Sequence, residues 1–216
     1  RFLFLTDLRE ETGNSHITIG TIVTDKKGNL WIASSTGLFK YENNILTKIT
    51  QTEEEIKHLT FYDKNHLFYI TSTGISLLDI STSKSRLIYP NDTKDFRQIA
   101  SLYYDEQLNR LWIGTGAAGL FYYDIIKKTL SSIPLKGFPK QPILAIKKDI
   151  NNTLLIGIDG QGIWNISERG DKLLNIYKED LNNPFSLRGD GVYDIFCDKS
   201  RNWVATYTGK LSFFEN

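Results

Sequence analysis

The chain has 216 residues, 40% of them hydrophobic and 24% charged, which is enough to bury a substantial core in one large all-β domain or two small ones. A formal net charge of +1 lacks the basic excess that nucleic acid or an anionic membrane surface selects, so neither is expected as a partner. The single cysteine, Cys197, excludes an internal disulfide, and no apolar run reaches the ~18 residues of a membrane span.

Residues 1–5, RFLFL, have the content of a strand without a hairpin partner before it, and are expected to belong to a preceding or closing unit. After a polar connector, residues 28–41 read GNLWIASSTGLFKY: a strand over 30–34, a small polar turn closed by Gly37, and a second strand over 38–41. Similar text returns as HLFYITSTGISLLD from His66, RLWIGTGAAGLFYYD from Arg110, TLLIGIDGQGIWNI from Thr153 and NWVATYTGKLSFF from Asn202. The chain therefore consists of about five repeats, at residues 17–50, 56–90, 98–134, 142–178 and 191–216.

Each repeat opens with an apolar pair three residues apart: Ile19 and Ile22, Ile56 and Leu59, Ile99 and Leu102, Ile143 and Ile146, Val192 and Ile195. Each pair leads to an acidic strand end, at Asp25, Asp63, Asp105, Asp149 and Asp198, spaced by 38, 42, 44 and 49 residues. A period near 40 with three or four short strands and almost no helical periodicity predicts an all-β fold, a β-propeller of four-stranded blades. The strands are named a to d in chain order within a blade, with segments such as residues 86–89 and 173–177 as strand d.

The Asp residues are expected to cap the a–b turns, and Gly37, Gly74, Gly119 and Gly162 to supply positive φ or to avoid the next blade. Trp31, Phe68, Trp112 and Leu155, near the start of strand b, are expected to fill the wedge between neighbouring blades. From the first strand-a residue to this position the count is 12, 12, 13 and 12, but only 11 between Val192 and Trp203. With no methionine anywhere, the deficit predicts an interruption of the chain between Asn202 and Trp203.

Catalytic and metal chemistry find little support in the residues. His16, His58 and His66 lack His or Cys partners at ligand spacing, so no metal and no cofactor is expected. Asp159, Asp190 and Asp194 are the carboxylates placed to work as a pair in a glycosidase or lyase, the alternative to a binding module, but no nucleophile elbow or phosphate loop accompanies them. No catalytic residue is assigned, and a purely structural propeller is the other alternative.

The connectivity of a blade sends the d–a and b–c loops to one end of the sheet and the tight a–b and c–d turns to the other. The first end carries Arg97, Gln98, Lys140, Gln141, Asp159, Gln161, Arg188, Asp190, Tyr207 and Lys210, the expected ligand-binding residues. Cations and amides suit the anions and hydroxyls of a sulfated or uronic-acid sugar, and Tyr207 offers a ring for stacking.

The segments DKKGNLWIASSTGLFKYE, YDEQLNRLWIGTGAAGLFYYD and NPFSLRGDGVYDIFCDKSRNWVATYTGKLSFFE resemble two-component regulator propeller repeats, a likeness that extends over all five units. The second departs most, with Phe68-Tyr69-Ile70-Thr71 where the family has Leu-Trp-Ile-Gly. The resemblance implies a piece of a larger, seven-bladed propeller in the periplasmic sensor region of a hybrid two-component regulator from a glycan-degrading bacterium. It further implies a non-catalytic segment of a membrane protein whose whole includes a histidine kinase. The remaining propeller and signalling domains, an oligosaccharide and a second copy in a homodimer are the expected partners.

Overall fold

The structure, a computed structural model, describes residues 17–50, 54–91, 98–207 and 211–215. Among them every regular element is a strand, and within each sheet every strand pairs antiparallel with its neighbours in sequence. The first blade comprises β1 (Ile19–Thr24), β2 (Leu30–Ser34), β3 (Gly37–Glu42) and β4 (Ile45–Lys48). The second comprises β5 (Leu59–Phe61), β6 (His66–Thr71), β7 (Gly74–Asp79) and β8 (Lys84–Pro90), and the third β9 (Ile99–Asp105), β10 (Arg110–Thr115), β11 (Leu120–Asp124) and β12 (Thr129–Ser132). The fourth comprises β13 (Ile143–Lys148), β14 (Leu154–Ile158), β15 (Gly162–Ile166) and β16 (Leu173–Tyr177). In the fifth, β17 (Val192–Cys197), β18 (Arg201–Thr206) and β19 (Leu211–Glu215) are described. The expected strands at 30–34 and 173–177 coincide with β2 and β16, and the all-β fold of propeller blades is as the repeats foretell.

The repeat's apolar pattern follows from its place in a stack of sheets. Every residue of β14 is buried, because a second strand covered on both faces needs a continuous apolar run. The fourth strand lies outside and β16 is mostly exposed. The blades gather into two compact units, one of residues up to Asn91 and one of residues beyond it. In the first, Trp31 is buried among Leu59, Leu67, Tyr69 and Leu78 of the second blade. In the second, Trp112 packs with Ile143, Ile146, Leu154 and Ile156 of the fourth blade, and Leu155 with Val192, Ile195 and Val204 of the fifth. These three side chains fill the wedge between blades as the sequence reading expects.

All five acidic strand ends cap their turns. Asp25 Oδ1 accepts from the Lys27 and Asn29 amides at 2.9 and 3.0 Å, and Asp198 Oδ1 from those of Ser200 and Arg201 at 2.7 Å. Asp63, Asp105 and Asp149 do likewise for residues two to four positions on. In the first and fifth blades the second carboxylate oxygen also accepts from the indole N–H, Trp31 at 3.2 Å and Trp203 at 3.0 Å. Asp105 instead meets Lys148 Nζ at 3.1 Å, and Trp112 Nε1 is buried without a hydrogen-bond partner.

One expectation is corrected. No interruption separates Asn202 from Trp203: β18 runs through both, paired residue for residue with β19. The short count comes from a tighter a–b turn, Asp198-Lys199-Ser200-Arg201, capped like Asp63-Lys64-Asn65-His66 in the second blade. The four turn glycines have the positive φ expected of them. Gly162, with Gly37, Gly74 and Gly119, has positive φ, and a Cβ on Gly162 would strike the Tyr177 carbonyl of its own blade's last strand. Avoidance of the next blade falls to Gly157 in β14, where a Cβ would sit 2.7 Å from Val192 Cγ1. Residues 1–5, expected to belong to a preceding or closing unit, lie outside the described residues.

Candidate functional site

In the second unit the loops between the fourth and fifth blades are tied together by backbone hydrogen bonds. The b–c turn of the fourth blade, Asp159-Gly160-Gln161, donates from Asp159 N to Pro142 O at 2.9 Å, and Gly162 N donates to Asp190 O at 2.9 Å. The Tyr207 amide, in the b–c turn of the fifth blade, donates to Gly191 O at 2.8 Å. A Cβ placed on Gly191 would lie 3.2 Å from Tyr207 Cβ and 3.3 Å from Asp159 Oδ1, so this glycine lets the two turns close on the d–a loop.

That loop, residues 178–191, is held by its own polar side chains. Asp190 Oδ1 accepts from Glu179 N at 2.7 Å, Asp180 N donates to Ser186 Oγ at 2.9 Å, and Phe185 N donates to Asn183 Oδ1 at 3.0 Å. Arg188 Nη2 donates to the Pro184 carbonyl at 2.7 Å, and Lys178 Nζ to Gln161 Oε1 at 3.1 Å.

On this frame stand two exposed tyrosines. Tyr207, 76% exposed, stacks on Tyr193, 52% exposed, with ring centroids 5.8 Å apart and planes 19° apart. Both rings remain open to solvent, which gives this end of the sheet an exposed aromatic surface. Tyr193 escaped the sequence reading. Its position, second in strand a, holds Gly20, Lys57, Ala100 and Leu144 in the other blades, so the lone aromatic was the available signal. It reaches Tyr207 because a β-bulge between Val192 and Asp194 turns it out of the ladder.

Of the expected residues, Asp159, Gln161, Arg188, Asp190 and Tyr207 come together here. Lys140 and Gln141 are exposed beside Pro142, whose carbonyl joins the Asp159 turn. Gln98 stands apart at the start of the third blade, its carbonyl accepting from Gly116 N at 2.7 Å. Arg97 and Lys210 lie outside the described residues. Asp190 and Asp194 cap neighbouring amides, and Asp194 Oδ1 also lies 4.0 Å from Lys147 Nζ. Among the described residues no group of three His, Cys, Asp or Glu is placed to hold a metal, and no helix is long and apolar enough to cross a membrane.

No protein-family model and no curated protein matches the chain. Among solved structures, the extracellular domain of a putative hybrid two-component system from B. thetaiotaomicron is similar over 90% of this chain and 26% of its own, at 20% identity and a TM-score of 0.68. The extracellular domain of a putative one-component system from the same organism covers 93% of this chain and 38% of its own, at 18% identity and a TM-score of 0.50. PorZ, a surface component of the type-IX secretion system of Porphyromonas gingivalis, covers 92% and 38%, at 14% identity and a TM-score of 0.56. The chain thus spans between 26% and 38% of the length of these proteins. In fold, this run of propeller blades is similar to the extracellular domains of bacterial two-component and one-component systems.

Proposed function

We propose that the chain is a non-catalytic, ligand-binding propeller segment of a periplasmic sensor, and that its ligand is an oligosaccharide bound at the b–c and d–a loops of the fourth and fifth blades. The observation that carries this reading is the exposed Tyr193–Tyr207 stack beside hydrogen-bonding groups on Asp159, Gln161 and Lys178. A flat ring surface takes the apolar face of a pyranose, while amides and charged groups at its rim pair with hydroxyls or with sulfate and carboxylate groups. The likeness in fold to extracellular sensor domains supports the sensor role and the periplasmic location. Lys178, whose ammonium donates to Gln161 Oε1, adds a cation to the expected set, and Arg188 donates to the Pro184 carbonyl of the same loop.

The test is isothermal titration against neutral, sulfated and uronate oligosaccharides, using the longest folded form of the protein. Tyr207→Ala and Tyr193→Ala are each expected to weaken binding about tenfold, or ~1.4 kcal/mol. Unchanged affinity in a folded double variant would move the site elsewhere. Shortened oligosaccharide after incubation would favour the polysaccharide-degrading alternative.

A further inference from the structure

The turn Asp159-Gly160-Gln161 carries two polar side chains that differ in what they can offer a ligand. Asp159 Oδ1 and Tyr207 Cβ stand 3.3 and 3.2 Å from one point, the place a Cβ would take on Gly191. The carboxylate therefore lies at the foot of the Tyr207 ring. The neighbouring carboxylates of Asp180, Asp190 and Asp194 each accept from a backbone amide. Asp159 is tied to the frame through its own backbone N–H, donated to Pro142 O, and among the described residues no donor reaches its carboxylate.

Gln161 is set differently. Lys178 Nζ, which can only donate, lies 3.1 Å from Gln161 Oε1, so the amide oxygen is spent on the cation and the NH2 group remains to donate. Arg188 is likewise turned to a protein oxygen, its Nη2 donating to Pro184 O at 2.7 Å. The turn thus presents an acceptor-only group and a donor, two residues apart. A sulfate or uronate group can only accept, so at Asp159 it finds no bond and meets a like charge. A hydroxyl both donates and accepts, and neighbouring hydroxyls of a pyranose satisfy the pair, one donating to the carboxylate while the next accepts from the amide.

Resting on the oligosaccharide reading above, we infer that this site takes an uncharged oligosaccharide through adjacent free hydroxyls, and that Asp159 is the residue that selects it over sulfated and uronate sugars. The tyrosine rings hold the apolar face of the sugar, and the Asp159 turn reads its edge.

The test is isothermal titration of the longest folded form of the protein with uncharged gluco-, manno-, galacto- and xylo-oligosaccharides and with sulfated and uronate counterparts of each. The best-bound uncharged sugar is expected to bind at least about tenfold more tightly than its charged counterparts. Asp159→Asn keeps the shape and removes the charge; it is expected to weaken the uncharged sugar about tenfold and to strengthen the charged ones. A merely structural Asp159 would move both in the same direction. Removing the sugar's hydroxyls one at a time gives a second readout, since the hydroxyl that meets Asp159 is expected to cost affinity in the native protein and nothing in Asp159→Ala. Charged sugars bound more tightly than the uncharged parent, with a preference that Asp159→Asn leaves in place, would overturn the inference; dependence of that binding on Tyr193 and Tyr207 would still uphold the oligosaccharide reading. A cationic amino-sugar oligomer preferred over all of these would overturn it too, because the carboxylate would then be reading charge. Binding of no sugar, or binding indifferent to both tyrosines, would remove the reading and the inference together.

Discussion

Asp198 shows how much one turn residue does. Amides of Ser200 and Arg201 and the indole N–H of Trp203 converge on its carboxylate; led by the Ser200 amide, they hold its pKa well below the usual carboxylate range. A depressed folded pKa means that the stabilisation is fully present above the unfolded value of about 3.9 and is lost as pH falls towards the folded one. The stability gap between the native chain and Asp198→Asn is therefore expected to be constant near neutrality and to close below about pH 4. Urea unfolding at a series of pH values would show it, and a gap unchanged at pH 3 would refute the assignment. Cys197 shifts the other way, pushed up to about 11 by burial first and then by the Asp149 charge. Its thiol is expected to react slowly with iodoacetamide at pH 8 and to quicken only well above the ordinary cysteine value of about 8.5. The Asp caps were legible in the sequence because a cap is local, made within four residues. The Tyr193–Tyr207 stack was half legible, since pairing between β17 and the b–c turn depends on a bulge that no spacing rule shows.

Among the elements, the third and fourth blades share a polar clamp. Lys148, at the end of β13, places its ammonium 3.1 Å from Asp105 Oδ2, 2.8 Å from Gln107 Oε1 and 2.6 Å from Glu168 Oε1. The Asp105 side chain is 1% exposed and that of Lys148 9%, so removing the cation strands a buried carboxylate. Lys148→Ala is expected to cost about 3 kcal/mol in chemical denaturation, and Lys148→Ala with Asp105→Asn less than the sum of the single changes. The clamp was invisible in the sequence because its members lie 20 to 43 residues from Lys148 and each residue type is ordinary at its site. Strand order and the blade pattern were legible, since hairpin neighbours in sequence are neighbours in the sheet. The short turn at Asp198 misled because a count of residues does not separate a missing residue from a tighter turn.

At the scale of the molecule, stability comes from sheet against sheet, each blade touching its sequence neighbours within its unit. Repeat proteins of this kind respond to damage locally, because the cost is carried by nearest-neighbour interfaces. Trp112→Ala, which empties the space between the third and fourth blades, is expected to cost about 3–5 kcal/mol. Hydrogen exchange is expected to quicken over residues 98–207 while residues 17–91 keep their protection; equal loss in both units would show that they unfold as one.

The placing of the caps has a bearing on descent with variation. At one end of every sheet the acidic side chains spend their hydrogen-bonding capacity on their own turns, so that end tolerates little change. At the other, loops of quite different length and content are set on the same ladders, and the folding of the blades does not depend on what those loops recognise. Such a scaffold lets specificity drift freely while the architecture stays put, and one gene duplicated many times can come to read many signals without relearning how to fold.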